Sequence, residues 1–155
     1  MNIRHHLSAT LFLAATFPSS ANVSVSKIFG DHMVLQQGAP IRVWGTADPG
    51  EGVSVSLGGK TKKTTTTKEG SWRVDLPSLK ADNKPHTMTI KGKNIVEIKD
   101  VLLGEVWICS GQSNMEWAVN RSLNPKEEIA AANHPRIRLF NVPGHVAKPE
   151  PEKDP

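Results

Sequence analysis

Ser113 is the residue in this chain whose neighbours best suit nucleophilic chemistry. It lies in the stretch D-V-L-L-G-E-V-W-I-C-S-G-Q-S-N-M-E-W, residues 100–117. A serine hydroxyl attacks poorly at neutral pH unless a base takes its proton. It also needs donors, often backbone N–H groups, near the oxygen of the attacked carbonyl. A tight turn that opens a helix supplies an exposed Oγ and N–H groups with no partner inside the helix. Gly111 is expected to ease such a turn by adopting backbone angles that other residues resist. The hydrolase pattern G-x-S-x-G is absent. A serine at a helix start also serves simply as an N-cap, so both readings stand on the residues alone.

The elements that would position Ser113 are a strand before it and helices after it. Residues 101–109 form an apolar run ending in the β-formers Val106, Trp107 and Ile108, broken once at Gly104 and Glu105. A run of that kind suits a strand buried on both faces. It stops at the turn 110–114, which puts Ser113 at the carboxyl edge of a sheet, where open α/β folds bind ligands. Helical stretches are expected within residues 115–133. Pro125 opens the clearest one, and Glu127 and Glu128 suit its amino-terminal dipole. Residues 137–142 then read as a second strand. Strand, helix and strand at this spacing make a βαβ unit with parallel strands and a right-handed crossover. Two strands cannot cover both faces of a parallel sheet. Residues 147–155 (A-K-P-E-P-E-K-D-P) cannot form a core, so an α/β domain is begun over residues 100–146 and left incomplete.

Residues 22–99 carry a different pattern. Short β-prone runs alternate with turn signals: 23–29, 33–35, 41–46, 53–57, 62–67, 72–76, 87–90 and 95–98. Val53, Val55 and Leu57 alternate with polar residues, as do Trp72, Val74 and Leu76, so each strand buries one face. Asp48-Pro49-Gly50 and Gly58-Gly59 are turns, and Glu69-Gly70 is expected to close a hairpin. The spacing predicts a β-sandwich. The fold class is therefore mixed, an N-terminal β-sandwich followed by the first βαβ unit of an incomplete α/β domain. Trp44 and Trp72 read as core rather than as a sugar-stacking platform, and Thr64–Thr67 as a solvent-facing strand. His32 and His86, in or beside turns with no carboxylate at a telling spacing, read as surface or packing residues.

Residues 1–21 have the form of a secretory leader. Arg4 precedes an apolar core, and Ser19-Ser20-Ala21 offers a small-residue cleavage site. A secreted or periplasmic location is the expectation, with no membrane-spanning segment. The net charge of +4 comes from scattered lysines, and aromatic residues make up 5%. No basic and aromatic surface for nucleic acid follows from that. Cys109, the single cysteine, is expected to be a buried small hydrophobe. No group of Cys, His, Asp or Glu has metal-ligand spacing, and no cofactor is expected.

G-E-V-W-I-C-S-G-Q-S-N-M-E-W resembles the nucleophile block of the sialate O-acetylesterase family, one branch of the SGNH-type serine esterases. F-G-D-H-M-V-L-Q (residues 29–36), P-I-R-V-W-G-T-A-D-P-G (40–50) and P-R-I-R-L-F-N-V-P (135–143) resemble that family in the same order. The resemblance covers residues 26–143. It implies a flavodoxin-like hydrolase domain with Ser113 as the catalytic nucleophile, its backbone N–H at the oxyanion. Gly111, Gln112 and Asn114 match the turn around it and are expected to shape the oxyanion site. It also implies an O-acetylated sugar or glycan as the substrate, without metal or organic cofactor. The family's catalytic His and Asp come from a later Asp-x-x-His block that matches nothing here, and neither His134 nor His145 belongs to such an element. Two functions follow: the front of a serine esterase, feeble alone, or a secreted non-catalytic β-sandwich that binds carbohydrate or protein.

Overall fold

The alternating residues of the front half become two sheets in the computed structural model, which describes residues 22–142. The leader expected over residues 1–21, His145 and the Pro-rich residues 147–155 lie outside that range. A three-stranded sheet has the order β1-β3-β6, from Ser24–Val25, Ile41–Thr46 and Ser71–Leu76. A five-stranded sheet has the order β2-β8-β7-β4-β5. Its strands are Val34–Gln36, Ile95–Gly104, His86–Lys91, Gly52–Leu57 and Lys60–Thr65. Ile41 and Val43 of β3, Val53, Val55 and Leu57 of β4, and Val74 and Leu76 of β6 share one apolar core with Met88 and Ile90 of β7. Each set is spaced by two, which is how a pleated strand buries one face.

The tight turns follow their sequence signals. β4 and β5 pair antiparallel with Leu57 opposite Lys60. Gly58 and Gly59 between them have φ of +53° and +73°, angles a two-residue hairpin loop demands of both residues. Glu69-Gly70 is also a tight turn, but it closes no hairpin ladder. β5 belongs to the five-stranded sheet and β6 to the three-stranded one, so this turn carries the chain between sheets. Trp72 is buried and its indole N–H donates to the Thr46 carbonyl at 3.2 Å. Trp44 is half-buried, edge-on to Phe29 at 4.8 Å. Trp72 is therefore core, and Trp44 packs on Phe29 outside the core cluster. Thr66 departs from the expected solvent-facing row: it is buried and its hydroxyl donates to the carbonyl of Glu51 at 3.2 Å.

β8 carries the chain toward Ser113 and is interrupted in an informative way. Val96 packs against the core and Ile98 is buried in it, then Val101 and Leu103 are buried one position out of phase. A bulge absorbs the extra residue: Met88 faces Ile98, yet His86 faces Val101. Asp100 sits in the bulge at φ +56°. Such an insertion lets one strand keep both apolar sets on one face. β2 pairs parallel to the far half of β8, with Val34, Leu35 and Gln36 opposite Leu102, Leu103 and Gly104.

The expected βαβ unit is not formed. β8 ends at Gly104, and neither 106–109 nor 137–142 pairs with any strand. Trp107 and Ile108 are 83% and 93% exposed, and Leu139 is 95% exposed. A parallel strand holds its shape only between neighbours with both faces covered, and the described residues supply none. Cys109, expected to be buried in that strand, is exposed for the same reason. The helical reading fares better. Two 3-10 turns, Ser113–Glu116 and Val119–Arg121, precede α1 at Pro125–Ala131. Pro125 stands in the first turn of α1 with Glu127 and Glu128.

Candidate functional site

Ser113 is exposed at the first position of its 3-10 turn. The N-cap is Gln112, in an extended conformation, and no side chain caps the turn. The simple capping role that competed with the nucleophile reading is therefore not what Ser113 does. The turn is closed by the Met115 N–H donating to the Gln112 carbonyl at 2.9 Å. Trp117 follows, its indole N–H donating to the Arg121 carbonyl at the end of the second 3-10 turn at 3.2 Å. Gln112 and Asn114 flank the serine on this exposed turn.

Gly111 is required for space rather than for an unusual angle. Its φ is not among the positive ones. A Cβ built there would lie 2.6 Å from Met115 Cγ, so any side chain would have to displace the Met115 side chain from this turn.

No described base reaches the serine. The His32 ring is 2.6 Å from an Asp100 carboxylate oxygen, and the His86 ring is 3.0 Å from Asp82. Both histidines thus have carboxylate partners, contrary to the reading of the sequence. Asp100 lies 68 residues from His32, and the two are brought together by the loop before β2 and the bulge in β8. Asp100 is also held by Arg138, whose guanidinium donates to its carboxylate at 3.0 Å and to its backbone carbonyl. The His32 and Arg138 hydrogen bonds hold the Asp100 carboxyl below its ordinary value.

The start of the segment that carries Ser113 is tied in the same manner. Gln36 donates to one Glu105 carboxylate oxygen at 3.0 Å and Gln37 to the other at 2.9 Å. The Val106 N–H donates to the Gln36 side-chain oxygen at 2.9 Å. These bonds hold the Glu105 carboxyl below its ordinary value, the Gln36 bond first. Sequence reasoning missed these partners because 69 residues separate Gln36 from Glu105. The available signal was that both lie in the quoted motifs, at 29–36 and 104–117. The structure sets these motifs side by side through the β2–β8 pairing.

Among the described residues no group of three His, Cys, Asp or Glu side chains could hold a metal ion. No described helix is long and apolar enough to cross a membrane.

Similarity to known proteins was found by sequence and by structure. Over 148 residues the chain is 36% identical to the sialate O-acetylesterase of Mus musculus, a match that takes in 85% of this chain and 27% of the relative. With the sialate O-acetylesterase of Homo sapiens it shares 34% identity over 138 residues, 82% of this chain and 26% of that protein. A solved carbohydrate acetylesterase from Xanthomonas citri matches the fold with a TM-score of 0.69 at 32% identity. That match covers 73% of this chain and 26% of the other. No family model matches. The chain spans about a quarter of the length of these relatives.

Proposed function

For a chain that belongs with the sialate O-acetylesterases over about a quarter of their length, we propose that residues 100–117 are the nucleophile segment of a serine esterase acting on O-acetylated sugars. Ser113 Oγ attacks the acetyl carbonyl and loses its proton to a base. The carbonyl oxygen becomes an oxyanion, met by the Ser113 N–H and by groups of Gly111, Gln112 and Asn114. Collapse expels the sugar oxygen, which takes up a proton, and leaves an acetyl group on Ser113. Water then attacks the acetyl carbon, releasing acetate and restoring the hydroxyl. No metal or organic cofactor enters this scheme. Sialic acid or a related acetylated sugar is the substrate class.

The observation that carries the reading is Ser113 itself, exposed on an uncapped turn inside G-Q-S-N-M-E-W. The two-sheet unit is read as a β-sandwich, and residues 100–146 as the opening of an SGNH-type α/β domain. The leader at residues 1–21 supports a secreted or periplasmic location. The base and its orienting carboxylate match no Asp-x-x-His element in this sequence. A serine deprived of its base loses most of its reactivity, so the 155-residue chain is expected to react slowly.

The packed two-sheet unit of residues 22–104 supports a second reading, a non-catalytic carbohydrate- or protein-binding module. A fluorophosphonate probe separates the two. Labelling of the chain that disappears in Ser113→Ala supports the nucleophile. No labelling, together with saturable binding of an acetylated glycan, supports the binding module instead.

A further inference from the structure

We propose that Gln36 and Glu105, assisted by Gln37, are positioning residues for the segment that carries Ser113; the proposal rests on the reading of Ser113 as the nucleophile. The backbone ladder between β2 and β8 ends at Gln36 opposite Gly104. Its last rung beyond that pair is the Gln37 N–H donating to the Gly104 carbonyl at 2.9 Å. Side chains then take over from the backbone. The Gln36 amide uses both its ends: its oxygen accepts the Val106 N–H and its nitrogen donates to Glu105. The second Glu105 oxygen is occupied by Gln37. Gln37 is itself held, its side-chain oxygen accepting the Ala81 N–H at 3.0 Å. The direction in which the chain leaves the sheet is thus fixed at Val106, seven residues before Ser113.

This clasp matters because it sits where the chain leaves the sheet for an exposed segment. Residues 105–124 are exposed throughout. Downstream the segment is tied where Arg138 grips Asp100 and the Arg136 guanidinium donates to the Asn83 side chain at 3.0 Å. Ser113 lies on the span between the two ties. A rotation at Val106 would be transmitted along that exposed span toward Ser113. A catalytic group misplaced by about 1 Å can lose on the order of a hundredfold in rate, so loosening the upstream tie should be felt at the serine.

An exchange of partners tests this. Gln36→Glu keeps the acceptor for the Val106 N–H but sets two carboxylates against each other. Adding Glu105→Gln to it restores one amide and one carboxylate with their places reversed. The 155-residue chain carries the test, with two readouts: hydrogen exchange of peptides from 105–117, and the rate of fluorophosphonate labelling at Ser113. Gln36→Glu is expected to raise exchange in 105–117 and slow labelling by about tenfold. Exchange in β4 and β7 should stay as it was, and the double variant should return both readouts toward wild type. Unchanged exchange in 105–117 overturns the proposal. So does a loss of protection throughout both sheets, or a double variant no better than the single one. If wild-type Ser113 takes no label, exchange and its rescue still decide whether the clasp fixes the segment, apart from the nucleophile reading.

Discussion

Gly45 illustrates how a motif residue can be dictated by backbone contact. It lies in V-W-G-T on β3, opposite Val25 of β1. A Cβ at residue 45 would fall 2.8 Å from Val25 Cα and 2.9 Å from Ser24 C, with the Ser24 carbonyl oxygen nearer still. Ordinary carbon contacts begin at about 3.5 Å, and backbone atoms cannot rotate aside as a side chain can. Gly45→Ala must therefore push β1 off β3. The cost is capped by what β1 and its flanks contribute, because separating β1 from β3 relieves the clash. Val23 is 2% exposed, and burial of such a side chain is worth about 1.5–3 kcal/mol. Its N–H donates to the Asn94 side chain at 2.6 Å, and the Asn94 amide donates back at 3.1 Å; each bond adds about 1 kcal/mol net. A loss of about 3 kcal/mol is expected, or roughly 10–15 °C in melting temperature for a unit of this size. The control is Gly52→Ala in β4, where a Cβ meets nothing within 4 Å; a change within about 0.5 kcal/mol is expected there. Thermal unfolding followed by circular dichroism measures both. Gly45→Ala melting within two or three degrees of wild type (taking roughly 4 °C per kcal/mol) would refute the reasoning, as would equal damage from Gly52→Ala.

Two further outcomes are expected. The Cys109 thiol, exposed in the folded protein, should react with a maleimide in native buffer as fast as in urea; protection that vanishes only on unfolding would show residues 106–109 to be packed. Stability should fall at both extremes of pH. The Asp100 and Glu105 carboxyls are held below their ordinary values of 3.8 and 4.5, so their contribution is complete above those values and is lost as pH falls through the lower folded ones. Lys93 is held above its ordinary 10.5 by its hydrogen bond to Asp48, so its contribution is complete below 10.5 and is lost as pH rises through the higher folded value. Urea midpoints measured across the pH range check this, and a midpoint that improves on acidification below about pH 4 would contradict it.

The front half was legible because its signals are local. Alternation at Val53, Val55 and Leu57, and glycine pairs at turns, depend on residues a few positions apart, and each appears as read. What failed was non-local. Residues 106–109 have the composition of a buried strand, but a strand also needs neighbours, and the described residues offer none. The β8 bulge was readable in principle: Ile98, Val101 and Leu103 cannot share one face of a strand unless a residue is inserted between them. An Asp at position 100 suits the left-handed angle better than most residues would. Its partners His32 and Arg138, at 68 and 38 residues' separation, could not be found from spacing.

The same distinction explains why the candidate nucleophile was found while its surroundings were not. Ser113 announces itself through six or seven contiguous residues. Its placement depends on Gln36, which reaches Glu105 only because β2 runs parallel to β8. Parallel neighbours arise through crossover connections and leave no short-range trace. Here the crossover is most of the β-unit itself: the chain passes through β3 to β7 before β8 returns beside β2. The unit therefore has a consequence beyond its own stability. Closing the β2–β8 pair brings Gln36 to the root of the Ser113 segment, so anything that separates those two strands should loosen the serine's segment before it melts the core.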